Sequence, residues 1–168
     1  MNGMRLMLSL LISASVTASA RTDPVLFEYA PNLTPYQRLC LAAENIYPHE
    51  MRSADVQWLR ATIQAAVQAS KLPILPERHR DCAPMRLKAA GTDAVLFVEV
   101  APSLKRDQPW QLQLRIVDPH LLGANGNVYQ PILWELRHTI GPAKSDVTAG
   151  LRGAFDRLRK AWSLSRRP

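Results

Sequence analysis

The sequence is short of most features that announce chemistry. It holds two cysteines, Cys40 and Cys82, too few for paired zinc-ligand motifs or a disulfide-dense scaffold. It has no phosphate-binding glycine loop and no Gly-x-Ser-x-Gly elbow, so the familiar nucleotide and serine-hydrolase signatures are absent. Aromatic residues make up 7% of the chain, and no aromatic-basic motif of the RNA-reading type occurs. Acidic residues are outnumbered, 14 against 21 Lys and Arg, for a formal charge of +7. No internal repeat or long linker interrupts the chain.

The clearest positive feature is the first twenty residues. Met1 to Arg5 gives a short basic start, Leu6 to Val16 is an apolar run, and Ala18-Ser19-Ala20 supplies the small residues that a signal peptidase inspects. The run is shorter than the roughly 20 residues of a spanning helix. A cleavable signal peptide is therefore expected over 1–20, with cleavage after Ala20 and no transmembrane segment in the mature chain. No cysteine stands at that junction, which disfavours lipid anchoring. The expected destination is the periplasm, where an even cysteine pair reads most simply as one disulfide, Cys40 with Cys82.

The remaining chain has the length of one domain. Residues 21–34 are punctuated by Pro24 and Pro31 and look extended, with Val25-Leu26-Phe27 as an edge strand or arm. Thr34-Pro35 predicts a short helix carrying Tyr36, Leu39, Cys40 and Ala43 on one face. Ser53 caps the next helix, in which Val56, Leu59, Ile63, Ala66 and Val67 recur at helical spacing before Pro73. Ile74-Leu75 predicts a brief strand, and a short helix is expected through Met85, Leu87 and Ala90. Val95 to Val100 reads as a central strand. Trp110, Leu112, Leu114 and Ile116 alternate with polar residues, as do Ile132, Trp134, Leu136, His138 and Ile140. Ser145 opens a last helix with Leu151, Phe155, Leu158 and Trp162 inward and Arg152, Arg157, Arg159 and Lys160 outward. The expected fold is α+β, a single domain with a mainly antiparallel sheet of three to four strands packed by helices. Its divisions are an arm and short helix at 21–52, the α+β domain at 53–164 and a basic tail at 165–168.

Four stretches carry a resemblance: Leu72-Pro73-Ile74-Leu75-Pro76-Glu77-Arg78 after a helix, Ala90-Gly91-Thr92-Asp93-Ala94-Val95-Leu96 before a strand, Leu114-Arg115-Ile116-Val117-Asp118 before a Gly-containing turn, and Leu133-Trp134-Glu135 before an amphipathic helix. Across about residues 53 to 162 the chain resembles the small periplasmic α/β domains of the CsgG, LpoB and TolB N-terminal type. Those domains share architecture without sharing one activity, so the resemblance implies a fold and an envelope setting and transfers no site residue.

Candidate chemistry is sparse. Cys40 as a cell-wall hydrolase nucleophile, with His79, His120 or His138 as base, competes with the disulfide. Its neighbours Arg38, Leu39 and Leu41 leave substrate little access. His79 and Cys82, with His49 and Glu50, have one permissible zinc spacing but no second ligand pair, and no metal or cofactor is expected. Glu99 and Glu135 fall on strands near Lys105 and Arg137, which favours charge pairing over glycosidase work. His138 shares an apolar face with Trp134 and reads as a packed residue. Trp58, off the main apolar face of its helix, suits a sugar ring or partner protein, or packs under Phe27 and Tyr29. The favoured reading is a non-enzymatic, exported binding or envelope-assembly accessory protein. Trp58, Arg152, Arg157, Arg159 and Lys160 would meet an envelope protein or an anionic cell-wall or membrane surface, not nucleic acid. The alternatives are a small cell-wall hydrolase using Cys40 and a periplasmic toxin-immunity or inhibitor protein.

Overall fold

The computed structural model describes residues 30–42, 52–76, 82, 93–101, 109–119 and 131–166. A 3-10 turn at Ala30–Leu33 leads into β1 (Arg38–Ala42), α1 (Ser53–Ser70), β2 (Ile74–Leu75), β3 (Asp93–Ala101), β4 (Trp110–Val117), β5 (Ile132–Ile140) and α2 (Lys144–Leu164). The five strands form one mixed sheet in the order β2-β1-β3-β4-β5. β1 runs parallel to both β2 and β3, whereas β3, β4 and β5 pair antiparallel. The α+β class is therefore observed, while the expected three- to four-stranded, mainly antiparallel sheet is corrected to five strands of mixed direction.

The source of that correction is residues 34–42. Thr34-Pro35 does not open a helix, and Cys40 lies on a strand. Leu39 and Leu41 alternate onto the helix-covered face and are buried, while Arg38 and Cys40 point to the opposite face. There the Arg38 guanidinium grips buried Asp93 with two bonds, Nε to Oδ1 at 3.0 Å and Nη2 to Oδ2 at 2.7 Å, the bidentate geometry that makes such pairs strong. Cys40 is bridged to Cys82, with Cα atoms 5.6 Å apart, within the span a disulfide requires. Pairing on both sides outweighs the helical propensity of this short segment. The sheet thus begins upstream of residue 53.

The two long helices form where the periodicity places them. In α1, Leu59, Ile63, Ala66 and Ser70 are buried at helical spacing. Arg52, not Ser53, is the N-cap residue, and the helix stops at Lys71, which adopts a left-handed backbone with φ 57°. In α2, Val147, Leu151, Ala154, Phe155, Leu158, Ala161 and Trp162 are buried. Its N-terminus is capped by Asp146, whose Oδ2 accepts the Ala143 N–H at 3.2 Å, not by Ser145. Both helices join one core with Leu96, Val98, Val100, Leu112, Leu114, Ile116, Trp134, Leu136 and Ile140. Gly150 permits the contact with β5, because a Cβ there would overlap Cγ2 of Ile140.

The register confirms the strand alternation with one exception. Leu96, Ile116 and Trp134 align, as do Val98, Leu114 and Leu136. The β4–β5 register slips between Ile116 and Val117, so Ile132 pairs with Val117 and is left 38% exposed. A bulge of this kind disrupts the ladder locally and breaks the period of two. The expected strand at Val25-Leu26-Phe27 and the helix through Met85 to Ala90 lie outside the described residues.

Candidate interaction surface

Helix α2 presents two outward faces because positions three and four apart share a side. Arg157, Lys160 and Leu164 continue the row of Asp146, Gly150 and Gly153, which borders a space shared with β5 from Asp146 to Arg157, whereas Arg152, Asp156 and Arg159 lie on another flank. All four basic residues named from the sequence are exposed. Arg159 donates to Asp156 at 3.0 Å, an exposed pair worth little in stability. Asp146 and Asp156 are the acidic residues of α2, so its solvent side carries a basic excess.

Trp58 belongs to a different constellation. It is half-buried, packs on the core and is covered by Lys144, whose Nζ stands 4.8 Å from the ring centroid. The same ammonium reaches Oδ1 of Asp55 at 2.7 Å. The hydrogen bond from Lys144 and the charges of Lys144 and Arg52 hold the Asp55 carboxyl below its ordinary range. This arrangement clips the start of α2 to the start of α1, and the ring face that would stack on a sugar is occupied by a cation. The contact with Lys144, nearly ninety positions downstream, has no local sequence signal. Phe27 and Tyr29, the other suggested neighbours of Trp58, lie outside the described residues.

At the opposite end of α2, the turn before β1 is fastened to the helix C-terminus. Thr34 Oγ1 donates to the Ser165 carbonyl at 3.1 Å, and Arg166 donates to the carbonyls of Thr34 and Tyr36 while stacking on Trp162. Arg166 of the expected basic tail is therefore a docked residue. The Tyr36 hydroxyl is buried and bonded to Asp118, and both effects push its ionisation upward.

The sheet face away from the helices carries aligned rows, Phe97–Arg115–Glu135 and Glu99–Gln113–Arg137. Glu135 is 3% exposed and accepts from Gln113 and from Arg137 Nε, the latter at 3.1 Å. Arg115 sits 5.2 Å from the Phe97 ring centroid. The sequence placed Glu99 and Glu135 on strands near basic groups. The structure puts β4 between them and holds Glu135 with Gln113 and Arg137, while Lys105 lies outside the described residues.

The Cys40–Cys82 bridge leaves no thiolate at Cys40, and a thiolate is what a cysteine nucleophile requires. His49, Glu50, His79 and His120 lie outside the described residues. Among the described residues no group of three or more His, Cys, Asp or Glu side chains converges, and no helix is long and apolar enough to cross a membrane.

One feature was missed from the sequence. Between β5 and α2 opens a groove of about 440 Å³ floored by Leu136, Ile140 and Ala154 and edged by His138, Asp146 and Arg157. Its signal is the pair Gly150 and Gly153 within an otherwise well-patterned helix: Gly150 admits Ile140, and a Cβ at Gly153 would meet nothing within 4 Å. Sequence reading assigned His138 to core packing. It lies on the helix-facing side of β5, half-buried at this groove.

No protein-family model matches this chain, and no curated protein matches it.

Proposed function

We propose that this chain is an exported, non-enzymatic binding or envelope-assembly accessory protein of the periplasm, with α2 as its interaction element. The observation that carries the reading is the solvent side of α2. Arg152, Arg157, Arg159 and Lys160 stand exposed there with Asp156 as the only acidic residue between Arg152 and Lys160. A helix seated so firmly through its other side can present charge without changing shape, which keeps the entropic cost of docking low. Basic charge of this kind steers association with acidic partners. The bridge between Cys40 and Cys82 supports an oxidising compartment, and the signal-like start of the chain points to export. The pattern-level likeness to CsgG, LpoB and TolB N-terminal domains favours an envelope role over an intracellular one. The partner is an envelope protein or an anionic cell-wall or membrane surface.

Affinity capture from periplasm tests this reading, comparing the native chain with one in which Arg157, Arg159 and Lys160 are replaced by Glu. Loss of a defined partner on charge reversal is expected. Unchanged recovery rejects α2 as the interaction element. Fractionation with mass analysis of the chain's N-terminus tests export, and an uncut precursor in the cytosol rejects it.

A further inference from the structure

We infer that the groove between β5 and α2 is a docking site for an extended acidic segment of a partner protein, with an apolar side chain of that segment seated on Leu136, Ile140 and Ala154. The inference deepens the proposed function and rests on it, since it assigns the partner's chemistry and the place on α2 where it lies.

Three observations lead there. First, the groove is an apolar trough bounded by a helix and by β5, the edge strand among the described residues, the setting in which extended segments are commonly bound. Gly153 helps to hold it open, because beyond the adjacent helix backbone nothing lies within 4 Å of where its Cβ would stand. Second, its charge is graded along α2. Asp146 sits at one end, engaged by the Ala143 N–H, and Arg157 sits at the other. Eleven helical steps of about 1.5 Å set them about 16 Å apart. An acidic group therefore belongs at the Arg157 end, where Lys160 extends the same row. Third, the large exposed hydrophobic residues among those described are Ile132 and Leu164, at 38% and 43%. Leu164 continues the Arg157–Lys160 row, and Ile132 starts β5 at the same end of the layer. Thr34 and Asn32 hold that end together through Ser165 and Leu133. A groove, a pair of cations and an exposed leucine thus follow one line.

These features select among occupants. A second copy could meet this face only with its α2 antiparallel, Arg157 against Asp146, but that Asp146 carboxylate is already engaged by the Ala143 N–H; self-pairing is therefore read separately in the test. An anionic polymer or lipid headgroup would use the cations but has no need of the apolar floor. An acidic segment with alternating apolar residues uses both.

The test uses the full disulfide-bonded chain and a short fluorescein-labelled peptide alternating Glu and Leu. Control peptides replace Glu by Lys or Leu by Ser, and phosphatidylglycerol vesicles supply a headgroup surface. Saturable binding of the Glu/Leu peptide is expected, weakened by about tenfold or more in either control peptide. Gly153→Leu starts from an unobstructed Cβ position and directs an apolar side chain into the groove without changing any charge, so it should weaken binding by a similar factor, with the melting temperature measured beside it to show that the fold is kept. Arg157→Glu should weaken it as well. Binding that survives Gly153→Leu, or is equally strong with the Ser peptide or the vesicles, overturns the groove as the site. If Gly153→Leu has no effect while charge reversal on α2 still abolishes partner capture, the groove fails and the basic-helix reading stands. If the chain binds none of the probes, or pairs with itself through this face, the inference also falls.

Discussion

Two glycines three residues apart on α2 ask opposite things of their surroundings, and exchanging each for alanine measures how the helix is seated. Alanine in an exposed helix interior is favoured over glycine by about 0.5–1 kcal/mol, because it has less backbone freedom to lose on folding. At Gly153 the new methyl meets nothing within 4 Å, so Gly153→Ala should stabilise by about that amount. At Gly150 the same methyl would overlap Cγ2 of Ile140, with Cβ at 3.4 Å and Cδ1 at 3.6 Å. Ile140 is 3% exposed and stiff at its branched Cβ, so relief needs a change of its side-chain rotamer or a shift of the helix. Overpacking of this kind costs about 1–3 kcal/mol, and the helix-propensity gain offsets only part of it. The two variants should therefore differ by about 1–3 kcal/mol, or several degrees in melting temperature for a chain of this size. Urea unfolding followed by circular dichroism reads the difference, with an unchanged denaturant slope showing that both variants unfold from the same compact state. Equal stabilisation by both substitutions would refute the seating of α2 on Ile140 and, with it, the shape of the groove.

Three further outcomes follow from the same contacts. Reduction of the Cys40–Cys82 bridge, or replacement of both residues by serine, releases a crosslink between positions 42 apart and should cost up to about 4 kcal/mol in denaturant unfolding; a loss below about 1 kcal/mol contradicts its structural role. The Asp55 carboxyl is held below its ordinary range by Lys144, so its contribution is complete above the unfolded aspartate pKa and is lost as pH falls through the lowered folded value. Lys144→Gln should therefore reduce stability near neutral pH, and its gap from the native chain should narrow in acid to what the Trp58 contact contributes, whereas a constant gap across pH removes Asp55 as the partner. The Tyr36 ionisation is raised by burial and Asp118, so in an alkaline ultraviolet titration one of the four tyrosines should ionise only as the chain unfolds. Tyr36→Phe should remove that delayed component, and four tyrosines titrating together near the free value would contradict it.

Much of the fold was legible because its strands and helices keep strict periods. The alternation from Trp110 to Ile116 and from Trp134 to Ile140 placed the correct residues on the core face, and the α1 and α2 stripes did the same. β1 was not legible. Its five residues, Arg38–Ala42, follow Thr34-Pro35 closely enough to read equally well as part of a short helix, and what decides for a strand is pairing with β2 and β3. Parallel pairing is non-local by nature, so the mixed sheet could not be read from neighbouring residues. Ile132 misled through a bulge, which shifts the register by one without marking the sequence. Of the candidate site, the exposure of Arg152, Arg157, Arg159 and Lys160 follows directly from helical spacing. Their division between two flanks, and the groove that Arg157 edges, arise from where β5 lies and from side chains that Gly150 and Gly153 lack.

Site-specific photo-crosslinking in living cells tests the central claim most directly. A photoreactive residue placed at Lys160 should yield a discrete adduct with an envelope component, and the same residue placed at exposed Gln64 on α1 should yield none. No adduct from position 160, or the same adducts from both positions, would contradict α2 as the surface through which this protein works.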